Sequence, residues 1–175
     1  MMHVALLRGV NVGGNNLIAM ADLCGLLENL GFSRGRSLLQ SGNLVFEAKG
    51  RTAAELERLL EAETEKRFKR SVDYFVRSPE EWKKLVERNP FPRESKDDPS
   101  HLLVQFLKRA PKPADAKSLE AWTGPERVRT DGKQAYIAYP DGIGRSKLTA
   151  AVLEKKLGSG TGRNWNTIRK LSGLL

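Results

Sequence analysis

Hydrophobic and polar positions alternate in a way that predicts the elements of the first half of the chain. The apolar run 4–7 predicts a buried strand, and apolar residues spaced three and four apart then predict a helix that Gly31 ends. The apolar face of this helix consists of Met20, Leu23, Cys24, Leu27 and Leu30. Segments 37–40 and 43–47 predict two strands, joined as a hairpin by the turn Ser41-Gly42.

A second helix and a fourth strand complete this pattern. Thr52 and Glu55 have the spacing of a capping box, which marks the N-terminus of a helix. The segment 72–76 predicts a strand. The apolar residues of the capped helix are Leu56, Leu59, Leu60 and Phe68. The element order is therefore β-α-β-β-α-β, which is the ferredoxin-like pattern.

Residues 78–100 separate two similar halves. Ser78 and Glu81 form another capping box, with Pro79 at the first helical position. Residues 89–100 contain three prolines and several charged residues, so they predict a linker or a surface loop.

The pattern of hydrophobic positions restarts after residue 100. In order, the predicted elements are a strand at 101–107, a short helix at 114–122, a hairpin of strands 127–130 and 134–139, and helices from about Ser146 and about Asn164. The hairpin turn is Asp131-Gly132, a strong short-range hairpin signal.

We therefore expect an α+β fold made of two tandem ferredoxin-like subdomains of the βαββαβ type, forming one compact protein with an additional C-terminal helix. The expected N-terminal subdomain is 1–77. A helix and linker follow at 78–100, and 101–175 forms the C-terminal subdomain with its closing helix. A length of 175 residues is enough to bury a sizeable core.

Composition and charge narrow the classes of protein. The net charge is +9, and +6 of it lies in residues 145–175, which contain seven Lys or Arg residues and one acidic residue. A local concentration of positive charge indicates an anionic partner better than a basic average does. The single cysteine, the lack of a signal-peptide pattern and the lack of a long apolar stretch predict a cytoplasmic protein without a membrane partner.

The sequence contains no complete catalytic or metal-binding motif. His3 and His101 open two predicted strands, and Cys24 lies on the apolar face of a helix, so each has an ordinary structural interpretation. A metal site needs three or four converging ligands, which these residues do not supply. We therefore expect no metal and no cofactor.

Two regions of small and polar residues carry the candidate ligand-binding site. In a ferredoxin-like unit the loop after the first strand (8–16), the hairpin turn (40–43) and the end of the second helix (69–71) converge. Backbone N–H groups, a helix N-terminus and nearby cations suit an anion. The candidate residues here are Arg8, Asn11, Gly13, Gly14, Asn15, Ser41 and Asn43.

The second region lies near the C-terminus. Residues 141–147 form a loop of glycines and cations that contributes Arg145 and Lys147 as candidates. Gly158, Gly160 and Gly162 predict a flexible chain before the last helix. The remaining candidates are Arg163, placed to clamp a phosphate or carboxylate at that helix N-terminus, and Asn164, placed to cap the helix.

The chain resembles a bacterial family catalogued as domain of unknown function 1697. The resemblance rests on 7–14, 40–46, the tripeptide Asn89-Pro90-Phe91 and 161–167, which occur in this order across essentially the whole chain. It implies two related α/β subdomains of ferredoxin-like character, and it implies no activity.

Three functions remain open from the sequence. The first is a binding module for a phosphate-bearing or other anionic ligand, either a nucleotide or a nucleic acid, with Tyr74, Phe75, Tyr136 and Tyr139 as candidate base-stacking rings. The second is a metal-independent enzyme acting on an anionic small molecule, with Asp141 as its best carboxylate. The third is a structural or oligomeric scaffold, although the sequence does not specifically indicate a homo-oligomer.

Overall fold

The computed structural model of the chain describes residues 1–14 and 17–175. The first half contains β1 (Met2–Leu7), α1 (Met20–Asn29), β2 (Ser33–Ser37), β3 (Asn43–Glu47), α2 (Ala53–Phe68), β4 (Tyr74–Arg77) and α3 (Pro79–Glu87). The second half contains α4 (Pro92–Asp97), β5 (Leu102–Leu107), α5 (Pro113–Glu120), β6 (Arg127–Asp131), β7 (Gln134–Ala138), α6 (Ala150–Leu157), β8 (Gly160–Asn164) and α7 (Trp165–Ser172). Short 3-10 turns cover Pro99–His101 and Ile143–Arg145.

The chain divides into two compact units. The first consists of 1–84 and 171–175, and the second of 85–170. Each unit contains a four-stranded antiparallel sheet, with strand order β2-β3-β1-β4 in the first and β6-β7-β5-β8 in the second. The α+β class expected from the sequence is confirmed. Every helix among the described residues is too short or too polar to span a membrane.

The core of the first unit lies between one face of its sheet and the helices α1 and α2. Leu7 of β1, Phe46 of β3 and Val76 of β4 are buried on that face. Leu23 and Leu27 of α1 pack into the same cluster, as the helical periodicity predicted. The capping box at the start of α2 is also confirmed, because Thr52 and Glu55 exchange their hydrogen bonds.

The core of the second unit is built in the same way. Ile137 and Tyr139, at β7 and just after it, pack with Leu119 of α5 and with Leu153 and Leu157 of α6. Thr149 caps α6 by accepting a hydrogen bond from the backbone N–H of Val152. The helix predicted from about Ser146 therefore begins four residues later, at Ala150.

The strand β2 differs from its prediction. The sequence predicted a strand at 37–40, but Ser33–Ser37 forms the strand, and 38–42 forms the turn. This edge strand has almost no buried side chain, and its backbone pairing with β3 defines it. A pattern of apolar residues cannot reveal such a strand, because an edge strand does not need an apolar face.

The glycine-rich segment before the last helix is also a correction. It was predicted as a flexible chain, but Gly160–Asn164 is the strand β8, paired antiparallel with β5. A Cβ on Gly160 would lie 2.6 Å from Nε2 of Gln105 and 2.8 Å from the carbonyl oxygen of Phe106. Glycine is needed here because the two strands approach closely. With β8, the second half has one strand more than predicted.

The segment predicted as a linker is partly helical. Residues 89–100 contain α4 and the first two residues of the 3-10 turn Pro99–His101. Pro92 occupies the first turn of α4, where its missing N–H has no intrahelical partner to lose. The Asn89 side chain accepts a 3.0 Å hydrogen bond from the backbone N–H of Phe91 just before that helix. Prolines therefore mark the start of these elements and not an absence of structure.

Candidate functional site

Asn11 joins the loops of the first unit. Its Oδ1 accepts a 2.9 Å hydrogen bond from the backbone N–H of Ile18. Its Nδ2 donates to the carbonyl oxygens of Ile18, at 2.8 Å, and of Gln40, at 3.1 Å. The loop after β1, the segment leading into α1 and the hairpin turn therefore converge, as the element order predicted.

The other candidate side chains of this region are also engaged with the protein. Arg8 lies 3.8 Å from a carboxylate oxygen of Asp73, and its backbone N–H donates to the Asp73 carbonyl. Asn43 is fully buried and donates from Nδ2 to the carbonyl of Leu38 and to Oγ of Ser41. Asn43 therefore organises the turn from inside, whereas Ser41 is exposed on it.

The glycines of the loop after β1 present exposed backbone. Gly13 and Gly14 both have positive φ angles, 60° and 77°, as a glycine loop permits. Asn15, the remaining candidate of this group, lies outside the described residues.

Arg163 lies on β8 and is buried, not displayed beside a helix N-terminus. Its guanidinium donates to Oγ1 of Thr161 at 2.7 Å and to the carbonyl of Gly162 at 2.8 Å. Burial lowers the pKa of Arg163 to about 10. Asn164 caps α7 as proposed, because its Oδ1 accepts the backbone N–H of Thr167 at 3.0 Å.

Arg145 and Lys147 line a cleft in the second unit. The cleft has a volume of about 440 Å³, and its lining consists of residues 122–126 together with Asp141, Arg145 and Lys147. We call it the cation cleft. It is the place where the structure brings two of the predicted site residues to a concave surface.

A buried carboxylate fixes one part of the cation cleft. Glu126 accepts hydrogen bonds from the indole Nε1 of Trp122, at 2.9 Å, and from Oγ of Ser146. Burial raises the pKa of Glu126, but the hydrogen bonds from Ser146, the backbone and Trp122 outweigh it and hold the pKa below its ordinary value. The ionised carboxylate thus ties Trp122 to the loop that carries Arg145.

The two cations of the cleft have no carboxylate partner. Arg145 and Lys147 are exposed, and within the described part of the chain neither side chain forms an ion pair or a hydrogen bond. Arg8 is held near Asp73 and Arg163 is buried, so the cations at the other candidate positions are already engaged.

The aromatic rings proposed from the sequence as stacking surfaces are all buried. Tyr74, Phe75, Tyr136 and Tyr139 are at most 1% exposed. The hydroxyl of Tyr136 donates to the carbonyl of Leu85 at 2.7 Å, and that of Tyr139 donates to the carbonyl of Leu148 at 3.0 Å. Because the protein covers all four rings, none of them is available to stack on a ligand.

Trp122 is the ring that sequence reasoning missed. It is half-buried, packs against the core of the second unit and also lines the cation cleft. The sequence predicted Trp122 as the last residue of a helix at 114–122, but α5 ends at Glu120 and leaves Trp122 just before the turn residues Gly124-Pro125. Such a position suits a partly exposed ring better than a core ring.

His101 and Asp98 form a second feature that the sequence did not indicate. Nδ1 of His101 lies 2.9 Å from a carboxylate oxygen of Asp98. Both residues line a cavity of about 150 Å³ with Glu94 and Arg127, which form an ion pair with each other. In the described ranges, no three His, Cys, Asp or Glu side chains are grouped in a way that could hold a metal ion.

The architecture described above defines an α+β protein with two four-stranded antiparallel sheets and, within the described residues, seven α-helices. Residues 1–136 match the family described as Protein of unknown function (DUF1697), and the chain belongs to that family. The fourth sequence motif, 161–167, lies beyond the matched part.

A solved structure shares this fold. The conserved bacterial protein SP0830 from Streptococcus pneumoniae is 23% identical to the chain, with a TM-score of 0.78. The similarity covers 99% of this chain and 97% of that one, so the shared fold includes both units. Among curated proteins, no sequence matches the chain.

Proposed function

We propose that this protein is a binding module for a phosphate-bearing ligand, either a nucleotide or a nucleic acid, and that the ligand occupies the cation cleft. The observation that carries this proposal is the pair of exposed cations without a carboxylate partner, Arg145 and Lys147, in a concave lining. A guanidinium and an ammonium group in one lining suit phosphate oxygens, the first through paired N–H groups and the second as a point charge.

The loops of the first unit are a second candidate position for an anion. Gly13 and Gly14 present exposed backbone, and Ser41 and the half-exposed Arg8 lie on the same converging loops. In this proposal Asn11 and Asn43 maintain the loop geometry and do not contact the ligand.

We also infer that each unit is a ferredoxin-like subdomain and that the two arose by duplication. The element order β-α-β-β-α-β occurs twice, and both sheets place the first strand of the unit between the third and the fourth. A cytoplasmic location is part of the same proposal, and the free thiol of Cys24 supports it.

Thermal unfolding with a ligand panel tests the binding function. The panel holds phosphate, nucleotides, sugar phosphates, coenzyme A and short oligonucleotides, each at about 50 and about 200 mM salt. A ligand present at about 100 times its Kd stabilises the folded state by roughly 2.7 kcal/mol, which is readily measured. A stabilisation that the double variant Arg145→Ala/Lys147→Ala abolishes would support the cation cleft.

A matched control separates the site from general charge. Lys155 and Lys170 are exposed cations outside the cleft lining, and their double alanine variant also removes two positive charges. We expect it to keep the stabilisation by small ligands. If both double variants lose the stabilisation equally, binding is nonspecific electrostatic attraction. If no ligand stabilises the wild type, the result favours the structural or oligomeric scaffold.

A metal-independent enzyme is the second candidate function. Asp141 lines the same cleft as the two cations, so a carboxylate is available next to a bound anion. Turnover of a small phosphorylated substrate that Asp141→Asn abolishes, with binding retained, would favour the enzyme.

A further inference from the structure

We propose that the cation cleft takes a single ribonucleoside monophosphate, with its base on Trp122, its ribose at Asp141 and its phosphate at Arg145 and Lys147. This inference rests on the proposed function and names the ligand class. The cleft combines an indole ring, a carboxylate and two cations in one lining. These three chemistries correspond to the three parts of a nucleotide.

Trp122 is held ready to stack on a base. Its indole Nε1 is bound to the buried Glu126, and part of the ring packs against the core, so its orientation is fixed before any ligand arrives. Gly124 leaves room for this arrangement, because a Cβ there would lie 2.6 Å from Nε1. A preorganised ring loses little conformational freedom on binding, and stacking on it needs only the flat face that every base has.

Asp141 distinguishes a nucleotide from a bare phosphate. A carboxylate in the same lining as Arg145 and Lys147 opposes an anion by like-charge repulsion, so a site for inorganic phosphate alone gains nothing from it. A ligand that also carries neighbouring hydroxyl groups turns the carboxylate into an acceptor for two hydrogen bonds. The ribose 2′- and 3′-hydroxyls are such a pair.

The size of the cleft favours one nucleotide over a strand. A volume of about 440 Å³ lies within the range of small-molecule sites. Single-stranded nucleic acid needs a groove that follows the backbone over several nucleotides, with several exposed rings. Trp122 lines the cation cleft, whereas the strand tyrosines are buried.

Intrinsic fluorescence measures this binding directly. Trp82 and Trp165 are 2% and 5% exposed, so Trp122 is the tryptophan whose emission a stacked base would quench. The full-length protein is titrated with AMP, GMP, CMP, UMP, 2′-deoxy-AMP, ribose 5-phosphate and inorganic phosphate. We expect ribonucleotides to bind at least about tenfold more tightly than ribose 5-phosphate, which is the size of effect that one stacked base gives.

Variants assign the parts of the site. Asp141→Ala is expected to reduce the preference for AMP over 2′-deoxy-AMP to about one, whereas Asp115→Ala, at a carboxylate on α5 outside the lining, leaves it unchanged. Trp122→Leu is expected to remove the advantage of AMP over ribose 5-phosphate. Trp122→Phe keeps a stacking ring and should retain most of it, with both Trp variants measured by calorimetry.

The outcomes separate this inference from the proposed function. If ribose 5-phosphate and phosphate bind as tightly as AMP, and Trp122→Leu changes nothing, the nucleotide inference fails while anion binding stands. If only oligonucleotides bind, with an affinity that falls steeply with salt, the cleft is part of a nucleic-acid interface and the mononucleotide inference is overturned. If none of these ligands binds, both fail.

Discussion

The indole Nε1 of Trp122 donates a hydrogen bond of 2.9 Å to Oε2 of Glu126. Gly124 lies against both partners of this hydrogen bond. A Cβ on Gly124 would approach the same carboxylate oxygen to 2.3 Å and Nε1 to 2.6 Å. The conformation of the segment 122–126 therefore requires glycine at position 124.

We predict that Gly124→Ala separates Trp122 from Glu126 and destabilises the protein. The expected loss is about 1–3 kcal/mol, the usual cost of inserting a methyl group into a filled site. Urea unfolding measures it. Gly144→Ala is the control, since a Cβ there meets nothing within 4 Å and the φ angle is not in the left-handed region. Equal stability of the two variants would contradict this account.

A second prediction concerns Asn11. Its side chain makes hydrogen bonds to Ile18 and Gln40, and its φ angle is 57°, which asparagine tolerates better than alanine. Asn11→Ala should therefore cost about 2–3 kcal/mol, the sum of lost hydrogen bonds and backbone strain. Asn11→Gly loses the same bonds without the strain and should be the more stable of the two. A more stable alanine variant in denaturant unfolding would refute the role given to the backbone.

The pKa of Glu126 predicts a pH dependence of stability. The pKa is lowered in the folded protein, so the unfolded chain binds this proton more readily than the folded one. The contribution of Glu126 is present above the pKa of an unfolded glutamate and is lost as the pH falls through the lower folded value. Melting temperatures of the wild type and Glu126→Gln between about pH 3 and pH 6 test this, and the gap between them should narrow as the pH falls.

The buried position of Arg163 predicts a structural effect and not a ligand effect. Arg163→Ala removes the hydrogen bonds to Thr161 and Gly162 and leaves a void on β8, so we expect a loss of about 2–4 kcal/mol in the free energy of unfolding. Ligand affinity at a temperature where the variant is folded should remain unchanged. Loss of binding without loss of stability would contradict this prediction and indicate that Arg163 contacts the ligand.

Local patterns predicted most of the secondary structure because the physical reasons were local. The 3.6-residue spacing of Met20, Leu23 and Leu27 requires only that one helical face be buried. The capping boxes at Thr52 and Ser78 satisfy backbone N–H groups within four residues. The sequence patterns did not predict the edge strands β2 and β8 correctly, because backbone pairing and not a pattern of side chains makes them strands.

The candidate site was predicted in part. Arg145 and Lys147 were found from a loop of glycines and cations, and the structure places both on one cleft. Asn43 was proposed from its place at a converging hairpin turn, and its burial could not be read from the sequence. Trp122 was overlooked because a single aromatic residue carries no periodicity.

The sequence by itself determined the α+β class, the order of most elements, the helix caps and the uneven positive charge, since each depends on residues close together in the chain. Only the tertiary structure decided which cations are engaged and which are exposed. Arg8 lies near the carboxylate of Asp73, which is 65 positions away in the sequence. Arg163 is buried on β8, a strand whose glycines led to the prediction of a flexible chain. Contacts between distant segments set these outcomes, and a linear pattern of residues does not contain them.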